Sequence, residues 1–594
     1  MENSTLTLQD ILGIKFTWYD YSFFLLMLLA SAIIGVYYGF YKKQQTAEDY
    51  LFGGKSLGVI PMALSLTANN ISGIALLAVP SDVYKHGISY WFTYVSLIFV
   101  IFGSYKIFVP VFAKLRITST FEYLKLRYDT KTRLLGSILY LGNIILILPI
   151  VIYIPALALV QATGINLHLI NILLCAVCIF YTSIGGLKAV VYSDALQSIV
   201  MIGALVIAFT LGVIRCGGIE NVWNTSYENE RLTLMFDLDF TKRNGFWAVT
   251  IGQFVAWMGF MGVNQLYIQK CLALPCQKDV IKVLILFAIG LFIIGSLCNF
   301  TGLIMFTEYS KCDPLEAGIL QKQDQLLPYY IMDISKQLPG LAGFFIAGVF
   351  SAALSTMSGV LNSLSCTIFE DFISHRLPKN TSQRKISTIL KLIVLIIGVI
   401  STINVFIVEK LGGMLALANS LSGITTGPIL ALFAGGMLIP KINSKGAFCG
   451  TLISVCTMAI VVLGSQWYQN NGYITTPPLP VSIEGCPLNG TFTTKTNINI
   501  TLSSPSNQVP YIFKVPFYWY SSMGLIISLV FGIIISQFVK DKKSKILYKD
   551  LFSPVIHRFL TTKDEESSKD VTETLMVNKF NEESNTEMFV NENK

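Results

Sequence analysis

The sequence predicts an all-α membrane protein of about thirteen transmembrane helices. Three observations carry that expectation. Of 594 residues, 53% are hydrophobic and only 13% charged, and the mean hydropathy is +0.61. Apolar runs of about 20 residues, enough to cross a hydrocarbon core about 30 Å thick, recur along the whole chain. The polar connections between them are too short to build a separate domain. Helices follow because a segment in lipid must satisfy its own backbone groups.

In order, the expected spans are 19–41, 57–79, 90–112, 134–160, 169–185, 191–213, 246–265, 281–306, 340–366, 389–408, 414–438, 447–466 and 513–538. The first run is long and lacks a basic leader, so it reads as a true span rather than a cleaved signal. Basic residues orient the set. Lys114, Arg116, Lys125, Arg127, Lys131 and Arg133 crowd one connection, Arg376, Lys379, Arg384 and Lys385 another, and KDKKSK opens the tail at Lys540. All three fall on one side when the N-terminus is outside, which the positive-inside bias favours. The glycosylation sequons agree: Asn3, Asn224, Asn489 and Asn499 fall outside, and Asn224, Asn489 and Asn499 are the expected acceptors. Asn380 falls inside, and Asn70 and Asn299 lie in or beside spans.

Residues 1–18 then form an extracellular N-terminus and 19–538 a membrane domain with its core at about 57–438. Residues 539–594 form a cytosolic tail whose polar end, beyond about Thr561, is expected to be disordered. The net charge of +8 reflects the basic inner connections and implies no nucleic-acid partner. Cys175 and Cys178 make a CxxC inside an apolar helix, a packing pair more readily than a metal site. Cys312 and Cys486 fall outside, where oxidation is open to them.

Two spans are interrupted. The second, GVIPMALSLTANNISGIALLAVP, carries Thr67, Asn69, Asn70, Ser72 and Gly73 midway between Pro61 and Pro80. Backbone unwinds at that depth where it lines a cavity, and its freed carbonyls suit a cation. Asn69 and Asn70 serve equally well as interhelical glue in an unbroken helix. The seventh span holds Gly252, Gln253, Gly259, Gly262, Asn264 and Gln265. With the first span peripheral, spans two to six and seven to eleven form two five-helix sets of opposite orientation, each opening on an interrupted helix.

The ninth span has no charge from Gly340 to Ile368, yet Ser351, Ser355, Ser358, Asn362 and Ser365 fall on one helical face. Ser355 and Thr356 offer two neutral oxygens at one level. That pattern suits a dehydrated monovalent cation or close helix packing. Asp194, near the start of the sixth span, is either a functional carboxylate or an N-terminal helix acid, and Gln197 lies one turn on.

Several segments together have a familiar form: EDYLFGGKSLG (48–58), VPSDVYKHG (79–87), GGLKAVVYSDALQ (185–197), NQLYIQKCLA (264–273), DQLLPYY (324–330) and SAALSTMSGVLNSLSCTIFED (351–371). They resemble the sodium/solute symporter family, and within it the branch of sodium-coupled monocarboxylate, multivitamin and iodide transporters. The resemblance implies a LeuT-like five-plus-five inverted-repeat core with one leading and two trailing helices. It implies a co-transported sodium ion held by the carbonyls of Ala68, Ile71 and Ala352 and the hydroxyls of Ser355 and Thr356, with Asp194 on the sodium path toward the cytosol. Asn69, Asn70 and Ser72, then Gln253, Trp257 and Gln265, are the expected solute-facing side chains. Trp257 also fits simple packing.

The chain departs from the family at Asn69-Asn70-Ile71, where the branch has small and apolar residues, and at Lys270, where arginine is usual. His86 and Lys85 are expected in a solvated outer loop. The implied function is sodium-driven import of a small organic anion, a monocarboxylate or carboxylated vitamin, across the plasma membrane. Iodide, a neutral sugar or polyol, or a non-transporting sensor or channel on the same scaffold are the alternatives. No nucleotide-binding or nucleophile motif stands in the sequence, so an enzyme is not expected.

Overall fold

The computed structural model describes residues 16–560 apart from 43, 45, 234–235, 237, 321–322, 379–380, 409–413, 487–508 and 540–548. Among the described residues there is no strand, and ten helices are long and apolar enough to cross a bilayer. In chain order the helices are α1 (Trp18–Val36), α2 (Ala47–Phe52), α3 (Val59–Asn70), α4 (Gly73–His86), α5 (Thr93–Gly103), α6 (Val109–Leu115), α7 (Glu122–Arg127), α8 (Thr130–Thr163), α9 (Leu167–Arg215) and α10 (Ile219–Glu228). They continue as α11 (Gln253–Gly262), α12 (Gln265–Leu272), α13 (Gln277–Glu308), α14 (Leu326–Ile334), α15 (Leu341–Ile368), α16 (Gln383–Val408), α17 (Met414–Leu438), α18 (Ser444–Asn470), α19 (Tyr511–Lys514) and α20 (Tyr520–Phe538).

Polar residues just before several helices set where they start. Thr46, Asp129, Asn166, Asn264 and Asn443 each accept a hydrogen bond from a backbone N–H in the first turn of the helix that follows.

Ten differs from the expected thirteen at three places, each with a physical reason. The fifth and sixth expected spans are merged in α9, whose 49 residues run about 73 Å, more than twice the hydrocarbon thickness. Gly186 breaks it, at φ 53° and ψ −158°. Its φ is left-handed, and a Cβ there would collide with Tyr50. The second expected span is divided between α3 and α4, each too short to cross alone. The seventh is the short α11 preceded by a π-helical turn, Ala248–Gly252.

The expected interruptions are visible as breaks. Between α3 and α4, Ile71 (φ −87°, ψ 90°) and Ser72 (φ −77°, ψ 165°) leave the helix, and the Ser72 N–H turns to the Asn70 carbonyl. Between α11 and α12, Val263 and Asn264 are non-helical, the latter at φ −67° and ψ 132°.

At the centre lies α15, with every residue from Phe345 to Thr367 buried. It packs against α1, α3, α8, α9 and α16. A helix apolar on all sides, with hydroxyls interspersed, is stable only inside such a bundle. The trailing α18 and α20 pack on each other, and α20 packs on α17. Gly450 and Gly532 let α18 and α20 approach closely, since a Cβ at Gly450 would stand 2.7 Å from the Gly532 nitrogen. One buried ion pair stabilises the end of α8: Arg133 Nε donates to Asp371 at 2.9 Å, and Ser137 and Ser119 donate to the same carboxylate.

Candidate functional site

The break after Asn70 changes which partners the last carbonyls of α3 can find. In a continuous helix the Ala68 carbonyl would accept from the Ser72 N–H, but that group is directed to Asn70. Ala68 instead accepts from Ser355 Oγ of α15 at 2.9 Å. One residue on, the Asn69 carbonyl accepts from Thr356 Oγ1 at 3.2 Å. Both hydroxyls also donate to the Ala352 carbonyl, at 3.0 and 2.9 Å. Five uncharged oxygens thus meet where a broken helix end faces a buried helix. They can supply part of the coordination of a sodium ion without a carboxylate.

Ile71 forms the break itself. Among the described residues the Ser355 and Thr356 hydroxyls reach Ala68, Asn69 and Ala352, and not Ile71. The Asn69 carbonyl was not anticipated as a member, because sequence does not show which carbonyls a break will turn.

A second polar cluster adjoins the first through the Asn69 side chain. Asn69 Nδ2 donates to the Ser355 carbonyl at 2.9 Å and to Asp194 Oδ2 at 2.6 Å. Asp194 Oδ2 also accepts from Ser65 Oγ at 2.6 Å, and Oδ1 accepts from Ser358 Oγ at 3.1 Å. Lys270 of α12 completes it, its ammonium 3.2 Å from Asp194. Asp194 stands eight residues beyond the Gly186 break, well past a first turn, so helix-end chemistry does not explain it. Gly359 makes room here: a Cβ on it would occupy the place of the Asn69 amide. Ser65 and the Lys270 pairing were missed, because residues 65, 194 and 270 are distant in sequence.

The other expected solute-facing residues divide. Asn70 and Ser72 are half-buried at the break, and Asn70 Nδ2 donates to Tyr267 Oη at 2.6 Å. Gln253 and Trp257 are half-buried on one face of α11, with Trp257 packed against the core. Gln265 is fully buried and committed elsewhere: Oε1 accepts from the Thr120 N–H at 2.7 Å, and Nε2 donates to the Thr118 carbonyl at 3.0 Å. Gln197 does not join Asp194; it donates to Ser31 of α1 at 3.0 Å.

His86 is not simply solvated. Its Nε2 lies 3.0 Å from Arg243 Nη1, and Arg243 pairs with Asp82 at 2.6 Å. Cys175 and Cys178 are free and buried, a packing role. Cys312 and Cys486 form a disulfide. The segment ending in Cys486 passes the end of α4, where the Leu479 N–H donates to the Lys85 carbonyl and Arg231 Nη2 to the Pro480 carbonyl, both at 2.8 Å. Asn224 is exposed on α10, whereas Asn489 and Asn499 lie outside the described residues, as do Asn3 and the tail from 561 onward.

Two broken helices beside a buried hydroxyl-bearing helix, in an all-helical membrane bundle, are the arrangement found in secondary transporters. The fold comparison agrees: a Na+-coupled sialic acid symporter, solved in a substrate-bound outward-open state, matches at a TM-score of 0.72, covering 89% of this chain and 100% of that one at 22% identity. The fold is therefore LeuT-like. The model of the sodium:solute symporter family matches residues 50–454, and the chain belongs to that family. Among its relatives, sodium-coupled monocarboxylate transporter 2 of Mus musculus is 35% identical over 551 residues, 92% of this chain and 88% of that protein. Sodium-coupled monocarboxylate transporter 1 of Xenopus laevis is 38% identical over 538 residues, 88% of this chain and 86% of that protein. Sodium is the co-transported ion, and the protein is a multi-pass membrane symporter.

Proposed function

We propose that the solute is a small organic anion, a monocarboxylate, carried inward across the plasma membrane with sodium bound at the Ser355–Thr356 cluster. The observation that carries the site is the contact of those two hydroxyls with carbonyls released by the α3–α4 break. The ligands would be the carbonyls of Ala68, Asn69 and Ala352 with both hydroxyls, and Ile71 would be drawn in as the break adjusts around the ion. A neutral oxygen set binds sodium weakly enough to release it, as a transport cycle requires. Asp194 lies beside this cluster and would stand on the route by which the ion leaves.

Asn70, Ser72, Gln253 and Trp257 would meet the solute between the two broken helices, where half-helix N-termini favour a carboxylate. Gln265 and the Asn69 side chain hold the site's frame. The monocarboxylate transporters among the relatives, matched over more of this chain, support a monocarboxylate, and a sodium/iodide cotransporter of Homo sapiens, 35% identical over 473 residues, leaves iodide as the second reading. The N-terminus would lie outside and the C-terminus inside, with 19–538 the membrane domain. An inside-negative potential contributes about 2.3 kcal/mol per charge per 100 mV, so moving more sodium than anion charge gives inward current.

The test is uptake by proteoliposomes of labelled pyruvate, biotin, iodide and myo-inositol, with sodium or choline outside. Sodium-dependent accumulation of pyruvate ahead of the others is expected. Sodium current with no solute accumulated would leave a channel as the reading.

A further inference from the structure

The Lys270 ammonium sits in a cage of oxygens inside the bundle. Ser65 Oγ lies at 2.5 Å, Asn69 Oδ1 at 2.7 Å and Asp194 Oδ2 at 3.2 Å. Ser358 Oγ donates to the opposite carboxylate oxygen at 3.1 Å. Both charged side chains are closed off from solvent. One carboxylate, one amide oxygen and one hydroxyl, with a second hydroxyl holding the carboxylate, are of the kind a hard cation takes. A buried carboxylate also requires a positive partner.

The ammonium is a compact charge with three donors, and the cage presents three acceptors to it. An arginine fork would spread five donors over a wider plane, which this arrangement of oxygens does not match.

We propose that Lys270 is a tethered cation: its ammonium fills a second alkali-cation site built around Asp194, and so sets this chain's sodium stoichiometry one below what the same oxygens would support with a neutral residue at 270. A charge fixed to α12 cannot be transported. Asp194 therefore stays neutralised through the whole cycle, and the empty carrier returns with no sodium in that site. The shared residue, Asn69, links the two sites, its carbonyl facing Thr356 and its amide oxygen facing Lys270. The proposal rests on reading the Ser355–Thr356 cluster as the transported sodium's site.

The experiment compares the parent, Lys270→Ala, and Lys270→Ala with Asp194→Asn in voltage-clamped proteoliposomes, reading sodium activation of uptake and charge moved per solute. Lys270→Ala should move one more charge per solute than the parent, with a Hill coefficient for sodium higher by about one. The double variant, having lost the carboxylate, should return to the parent's charge ratio. Lys270→Ala at the parent's ratio and Hill coefficient would overturn the proposal.

Should Lys270→Ala fail to transport, its melting temperature in detergent answers instead. Sodium chloride in place of choline chloride should raise it more than it raises the parent's, and an equal rise refutes the tethered cation. A merely structural ion pair would lower the melting temperature whatever the salt. A parent indifferent to sodium sinks the Ser355–Thr356 reading, whereas a sodium-dependent parent beside an unaltered Lys270→Ala sinks only this one.

Discussion

Removing the Ser355 and Thr356 hydroxyls tests the sodium site most directly. Each hydroxyl shares its proton between two carbonyls, Ser355 between Ala68 and Ala352 and Thr356 between Asn69 and Ala352. In the proposed site those hydroxyls would turn their oxygens to the ion, so alanine would delete one ligand each. A neutral hydroxyl contact contributes about 0.5–1.5 kcal/mol net. At about 1.4 kcal/mol per tenfold, either single alanine should raise the half-saturating sodium concentration about 2- to 12-fold. Independent losses would multiply to about 5- to 150-fold, but both hydroxyls share the Ala352 carbonyl, so the double variant should fall short of the product. Thr356→Ser keeps the oxygen and should stay near the parent. The assay is solute uptake against sodium, with choline holding ionic strength constant and values normalised to surface protein. A double variant at normal surface level with the parent's sodium dependence would refute the coordination reading.

Three further outcomes follow from particular contacts. Gly359→Ala places a methyl group where the Asn69 amide lies, an overpacking of about 1–3 kcal/mol; uptake should fall together with the melting temperature, and full uptake would remove Asn69 from α15. Arg133→Ala leaves Asp371 buried with only the Ser119 and Ser137 hydroxyls, a loss of about 3–5 kcal/mol; surface protein should drop sharply, and a normal level would mean that end of α8 is open to water. Cys312→Ser frees the Cys486 thiol; a membrane-impermeant maleimide applied to intact cells should then label it, by peptide mapping, and labelling only after permeabilisation would reverse the orientation.

Much of this arrangement is legible in the chain itself. The α3–α4 break is announced by TANNIS between two prolines, since a uniform lipid-spanning helix has no use for that polarity. The hydroxyl face of α15 is announced by four-and-three spacing in a chargeless run. What sequence did not disclose are partners across the bundle. Gln265 and Gln253 both look like polar interruptions of one span, yet one is committed to the Thr118–Thr120 backbone and the other is not. The same holds for Gln197, one turn from Asp194 by number but turned toward Ser31 of α1. Helical periodicity fixes which residues share a face, while the neighbour that face meets is set by tertiary packing. The corner in α9 was legible as well: Gly186, non-helical at φ 53° and ψ −158°, falls between the expected spans 169–185 and 191–213.

The placement of the oxygens bears on how binding can move the protein. Ser355, Thr356 and Ala352 belong to a helix buried on every side, which cannot shift without disturbing α1, α3, α8, α9 and α16 together. Ala68 and Asn69 belong to a helix end already released from its own continuation at Ile71. An ion shared between them joins a fixed element to a hinged one. Binding energy gained only when the hinge is in one position biases the hinge toward it, which is all that coupling requires thermodynamically. The nearby carboxylate, Asp194, is paired with Lys270 and takes no part in that cluster. The neutral cluster would thereby be left to bind and release. If the hinge were instead locked by direct hydrogen bonds alone, the Ser355→Ala/Thr356→Ala variant would free it, and solute would exchange faster without sodium than with it.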